Sequence, residues 1–337
     1  MWRGAHNKRA MTLLRRRFLQ LAAGAVALPR PAHAQAWPTR TITLIVPFAP
    51  GGATDVSARV VAEHMSRTLG QQIVVQNVPG AGGTVGSTRA MRADPDGYTI
   101  LMGHVGTHAV AVPLFPNLAY KPDADFEPIG LVSEFPVFIA ARKDFPANDL
   151  GEFITYVKAN AGKLNVGHAG VGSVFYISAL LLHSILGVTP TLVPFNGGLP
   201  AMNALVGGQV DYLCADATTG APQLEAGRIK AYAIASRARS SALPNVPTSA
   251  EAGLPAFQTS AWFALFAPRG TPQPILDRLT DALDKALDDA TIRKRLQALA
   301  SDLPDKPRRG PQALRRLVAA EIARWTPIIR AAGVKVE

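Results

Sequence analysis

Thr41-Ile42-Thr43-Leu44-Ile45-Val46, then Pro47 to Gly52, then Val56 to Leu69, is the stretch that decides how the fold is read. The first piece carries no charge, is β-branched or aliphatic throughout, and reads as a buried strand. Two prolines and two glycines end it, and apolar residues then recur at helical spacing. The pattern repeats downstream. Ile73 to Val75 is a short strand, Gly80-Ala81-Gly82-Gly83 opens a helix that runs to Met91, and Asp94 to Gly97 turns the chain into Tyr98 to Met102. Strand, loop and helix in this order predict a parallel sheet covered by helices, an α/β fold.

The same order restarts after Ala140. It predicts helix Leu150 to Asn160, strand Lys163 to Val166, helix Val174 to Leu186, strand Thr191 to Val193, helix Leu199 to Val206, and strands Val210 to Cys214 and Ile229 to Ser236. Helices Pro274 to Leu287 and Pro311 to Ala332 close the chain, the second with Leu314, Leu317, Val318, Ile322, Trp325 and Ile329 as a packing stripe. Two lobes are expected, linked by the extended stretches Pro136 to Ala141 and Phe257 to Ala267. Residues 37–138 plus 258–337 would form the first and residues 139–257 an inserted second. Sheets of this kind bind ligands at the carboxyl ends of their strands, here in the cleft between lobes.

Charge is unevenly placed. Residues 1–34 hold seven of the 35 lysines and arginines and none of the 24 acidic residues, so the formal +11 falls to +4 for the remainder. The basic excess therefore gives no case for nucleic acid as a partner. Arg15-Arg16-Arg17-Phe18-Leu19-Gln20, the apolar run Leu21 to Leu28, and Ala32-His33-Ala34 read as a twin-arginine signal peptide cut near Ala34. A periplasmic protein is expected. The single cysteine, Cys214, excludes an intrachain disulfide, and its place in an apolar strand predicts an inert thiol.

No catalytic set assembles. There is no Gly-x-Ser-x-Gly elbow, and Gly80 to Val85 misses the dinucleotide fingerprint at its last position. His104 and His108 are four apart with no carboxylate between them, so neither metal nor cofactor is expected. What recurs is the glycine-rich turn between a strand end and a helix start: Pro50 to Gly52, Gly80 to Gly83, Gly103 to Thr107, Gly170 to Ser173, and Asn196 to Gly198. Free N–H groups and the positive end of the helix dipole make such turns anion sites. Residues 47–55, 80–88, 103–109, 170–176 and 195–201 contain no lysine or arginine. A carboxylate there would be held by backbone N–H groups, the hydroxyls of Thr54, Thr84, Thr107 and Ser173, and water. Asp55 has two readings: complement to the helix dipole and partner of Arg59, or contact to a ligand's donor group or its water shell.

Trp37-Pro38 and Ile45 to Asp55, with Pro47-Phe48-Ala49-Pro50-Gly51-Gly52-Ala53-Thr54 between, are joined by further blocks in order. These are Asn77 to Gly83, Asp94 to Tyr98, Asp125 to Ile129, Val193 to Gly197 and Gly208 to Asp211. Leu243 to Thr248, Glu251 to Pro255 and Ala267 to Pro272 complete the set. The match spans essentially all of residues 37–335, and the chain resembles the solute-binding receptors of tripartite tricarboxylate transporters, also called the Bug family.

That resemblance implies a two-lobed periplasmic-binding-protein fold, closing on a small organic acid that is then delivered to membrane permease subunits. It implies a receptor rather than an enzyme, and a monomer is expected. By position it implies ligand contacts at Phe48, Ala49, Gly51, Gly52, Thr54, Asp55, Gly82, Gly83, Thr107 and His108. On the second lobe it implies Gly170, Val171, Gly172, Ser173, Phe195, Gly197, Gly198 and Asp216. Two positions depart from many relatives: Tyr176 stands in place of His, and Ala215 in place of Asp, with Asp216 one residue later. Both bear on which acid is bound. An exported α/β enzyme acting on a small acid, and a receptor serving a sensory partner, are the competing readings.

Overall fold

Strand β1 (Ile42–Val46) forms where its apolar run predicts, and pairs in parallel with β2 (Ile73–Asn77) on one side and β3 (Thr99–His104) on the other. Helix α1 (Ala53–Leu69) follows the Pro47 to Gly52 break, and Gly70 ends it at φ 72°, its N–H bonded to the Ser66 carbonyl. The computed structural model describes residues 37–333 apart from 237, 241 and 332. The twin-arginine motif and the Ala34 cleavage position lie outside them. The chain divides after Thr39, and all the described strands and helices belong to the unit that begins at Arg40.

The largest difference from the sequence reading is strand β4 (Phe126–Arg142), 17 residues long. Phe126 to Pro136 pairs antiparallel with β9 (Ser260–Pro268), which in turn pairs antiparallel with β3. At Val137 the partners change to β7 (Tyr212–Asp216) and β8 (Ile229–Ile234), again antiparallel. Strands β5 (Asn165–His168) and β6 (Thr191–Pro194) extend the sheet in parallel beyond β7. The order is β2-β1-β3-β9-β4-β7-β5-β6, so the sheet is mixed rather than parallel throughout. The parallel rule holds within β1 to β3 and within β5 to β7, where helices make the crossovers.

The remaining helices are α2 (Thr84–Met91), α3 (Ala111–Leu114), α4 (Leu150–Asn160), α5 (Val174–Leu186), α6 (Gly198–Val206), α7 (Ala217–Glu225), α8 (Gln273–Asp288), α9 (Ala290–Gln297) and α10 (Pro311–Ala331). Helix α4 starts where its sequence says because Asp149 accepts from the Glu152 N–H at 2.8 Å while Glu152 accepts from the Asn148 N–H at 2.8 Å. No helix among the described residues is long and apolar enough to cross a membrane.

Helix α10 packs on β4, α3 and α5. Of its predicted stripe, Leu314, Val318, Trp325 and Ile329 are buried, and Leu317 and Ile322 pack at the margin. The Trp325 ring is wholly buried and its Nε1–H donates to Glu321 at 2.8 Å. We expect Trp325→Ala to cost about 3–5 kcal/mol in a urea melt, as for other large-to-small core changes. A loss under about 1 kcal/mol would show that α10 is not part of the core.

Candidate ligand-binding site

The loop after β1 is held from below. Asn77, the last residue of β2, donates its side-chain N–H to the Phe48 carbonyl at 3.0 Å and to Asp55 at 2.9 Å. Asp55 also accepts from the Gly51 N–H at 2.9 Å and from Arg59 at 3.0 Å. Three bonds therefore fix Phe48, Gly51 and the first turn of α1 relative to the sheet. Arg59, the nearest base to this loop in sequence, is spent on Asp55 and Asn77.

Helix starts in this region are of two kinds. Helices α1, α2 and α6 begin after Gly52, Gly83 and Gly197, and none has a side-chain cap. No capping side chain accepts from their first-turn N–H groups, although in α2 the Thr84 and Val85 N–H groups bond back to the Ala81 and Gly80 carbonyls. Helices α5 and α7 are capped by Ser173, accepting from the Tyr176 N–H at 3.3 Å, and Asp216, accepting from the Thr219 N–H at 2.8 Å. The Ser173 hydroxyl is occupied as an acceptor, which leaves its own O–H to donate.

The glycine turns adjoin one another. A Cβ placed on Gly83 would lie 2.7 Å from the Thr107 methyl and 2.9 Å from the Phe48 ring. One on Gly82 would overlap the Val171 carbonyl oxygen and lie 3.5 Å from the Gly172 Cα. One on Gly170 would lie 3.7 Å from the Phe195 carbonyl, and one on Gly198 3.5 Å from Thr219, which caps onto Asp216. The loops after β1, β2, β3, β5, β6 and β7 thus form one contiguous edge, at the carboxyl ends of their strands. Hydroxyls and backbone N–H groups supply its polarity, without a lysine or arginine in the five windows.

A model of the tripartite tricarboxylate transporter family receptor matches residues 57–334. The chain belongs to that receptor family. A protein of Agrobacterium vitis, encoded in the TAR-I ttuE-ttuC' intergenic region, is 42% identical over 318 residues, 94% of this receptor and 92% of that protein. Among solved structures, MatC from Rhodopseudomonas palustris with bound malate is 51% identical, with TM-score 0.83, covering 87% of the receptor and 100% of MatC. The periplasmic binding protein BugD is 41% identical, with TM-score 0.82, covering 89% and 100%. The fold is accordingly the two-lobed periplasmic-binding-protein type.

Two of the receptor's expected contact residues also hold the fold together. His108 lies on a one-turn π-helical segment, Gly106–Val110, and its ring stacks on Phe266 with centroids 3.9 Å apart, beside Phe126 at 5.0 Å. It belongs to the aromatic core, because β3 carries Gly103 beneath the ring: a Cβ there would be 2.5 Å from it. Asp55 is 3% exposed and its bonds secure the loop, which is the Arg59-partner role offered by the sequence. Burial alone would push the Asp55 carboxyl up, but hydrogen bonds from Arg59, Gly51 and Asn77 hold it below its ordinary value of 3.8.

Sequence reasoning passed over Asn77 and His104. His104 ends β3, accepts the Gly106 N–H at 2.6 Å and packs on Phe48 with ring centroids 4.6 Å apart. Its position four residues before His108 was the only signal, and it bore only on metal chemistry, which the missing carboxylate argues against. Cys214 is buried mid-strand, and burial pushes its thiol up. Tyr176 is buried against His168, ring centroids 4.8 Å apart, at the second end of the same edge.

Two outcomes follow for the receptor. Asp55→Asn should accelerate hydrogen exchange at the Gly51 amide by roughly tenfold and destabilise by about 1–3 kcal/mol, the range for a lost charge-assisted bond. The Asp55 contribution is fully present above pH 3.8 and is lost only as pH falls through the lower folded value. An unchanged Gly51 exchange rate would refute the tether. Burial lowers His104 and His108 to about 3. The unfolded chain therefore binds more protons than the folded one between pH 6.5 and that value, and stability declines across the interval as pH falls. In urea melts at pH 7.5 and 5, His108→Phe should lose less stability on acidification than wild type. An equal loss would remove His108 from the account.

Proposed function

We propose that this receptor captures a small dicarboxylate of the malate type in the periplasm and delivers it to membrane permease subunits, without chemical change. The observation that carries this reading is the set of three glycine-started, uncapped helices, α1, α2 and α6, along one edge that lacks basic side chains. Backbone N–H groups and aligned helix dipoles favour a carboxylate there at a fraction of a kcal/mol to about 1 kcal/mol for each helix. Malate bound to MatC, at 51% identity, supports the chain length of the acid. Tyr176 and Asp216 would belong to the second lobe's side and would read its far end.

The division into lobes follows the same reading. Residues up to 138 with those from 258 onward would move against residues 139–257, because β4 changes partners at Val137 and β9 begins at Ser260. Export by the twin-arginine route would bring the chain to the periplasm already folded.

Thermal unfolding against a panel of mono-, di- and tricarboxylates tests the proposal. An acid present at 100 times its Kd should add about 2.7 kcal/mol of stability, and C4 dicarboxylates should lead the panel. Gly52→Val should abolish the shift with the fold intact, since a Cβ at Gly52 meets only the Ala49 carbonyl at 3.8 Å. A panel without any shift would overturn the reading.

A further inference from the structure

We propose that Gly82 is the steric stop on which the two lobes meet, so that it sets ligand affinity through closure; the inference rests on the receptor reading above. Gly82 belongs to the loop after β2, and the residues it meets belong to the turn after β5. A Cβ on Gly82 would overlap the Val171 carbonyl oxygen, with the Val171 carbonyl carbon at 3.4 Å and the Gly172 Cα at 3.5 Å. Its three nearest neighbours all come from that turn. The reciprocal is also close: a Cβ on Gly172 would lie 3.6 Å from the Gly82 Cα and 3.7 Å from the Gly82 carbonyl oxygen. Gly106 makes a second such approach, where an added Cβ would overlap the Gly172 carbonyl.

Each turn is closed by a backbone hydrogen bond of its own. The Gly83 N–H bonds to the Gly80 carbonyl at 2.9 Å on one side, and the Ser173 N–H to the Gly170 carbonyl at 3.1 Å on the other. Among the described residues no backbone hydrogen bond joins residues 80–83 to 170–173. The contact is therefore steric. Backbone rests on backbone, and how far the lobes approach is decided by the absence of a side chain at Gly82. A methyl group there would hold the lobes apart while meeting nothing within its own lobe among its nearest neighbours. Affinity would fall by the fraction of closed state lost, although no contact to the acid was removed.

Pulsed EPR between spin labels on Arg67→Cys and Lys158→Cys, both exposed and in different lobes, reads the closure; Cys214 is buried and does not label. Wild type should show a longer and a shorter distance, with saturating malate favouring the shorter. Gly82→Ala should reduce the shorter population at least tenfold and weaken malate binding by a similar factor. Gly70→Ala carries the same positive-φ strain, φ 72° against 63°, with nothing within 4 Å of the added Cβ, and should match wild type. Gly172→Ala should show a smaller loss in the same direction, a check should Gly82→Ala fold poorly. Gly82→Ala retaining the wild-type short-distance population overturns the inference, as does a single wild-type distance that malate leaves unchanged. If no acid binds but Gly82→Ala still removes the shorter distance, the receptor reading fails and the steric stop stands.

Discussion

Antiparallel pairing of β4 with β9 is the constraint from which the rest of the arrangement follows. One half of β4 needs β9 to satisfy its ladder, and the other half needs β7 and β8. A buried strand with unpaired N–H and C=O groups costs about as much for each group as a lost hydrogen bond. Both halves of the molecule are therefore built around one continuous strand. The carboxyl ends of β1 and β3, and those of β5, β6 and β7, are brought to a common edge because these two sets lie on opposite sides of it.

Much of this was legible in the sequence. Leu150–Asn160 and Val174–Leu186 match their predicted bounds, because each starts at a side-chain cap and carries an apolar face. Strand β4 was not legible beyond Pro136 to Ala141. It is buried on both faces over most of its length, so it lacks alternation, and Pro128 and Pro136 interrupt its apolar run. Helices α7 and α9 were missed for the opposite reason: α9 buries only Ile292 and Leu296. The π-helical turn at Gly106–Val110 read as a loop, since its one-residue excess leaves no periodic trace.

The site divides in the same way. Its glycine turns were legible because chain geometry requires them. The work of individual side chains was legible only for near neighbours such as Asp55 and Arg59, since the rest depends on partners far away in sequence. Asp55 answers to Asn77, 22 residues on, and His108 to Phe266 on β9. Ser173 and Asp216 both cap helices; the turn before Val174 put Ser173 at a helix start, whereas α7 had no sequence expectation and Asp216 therefore no local reading.

Recognition by peptide dipoles rather than ion pairs, as proposed for this receptor, has a selective logic. A guanidinium grips any anion that reaches it, whereas N–H groups fixed on glycine turns accept only what fits their spacing. The hub of Asp55, Arg59 and Asn77 keeps the charges beneath the loop instead of in it.

Cys214 sits at the middle of β7, paired across to Ile139 of β4 and fully buried. Its burial means that mixed disulfides, sulfenic acid and thiol-linked dimers all require the sheet to open first. For the one sulfhydryl in the chain, resistance to oxidation is then measured by the stability of the fold rather than by the redox poise around it.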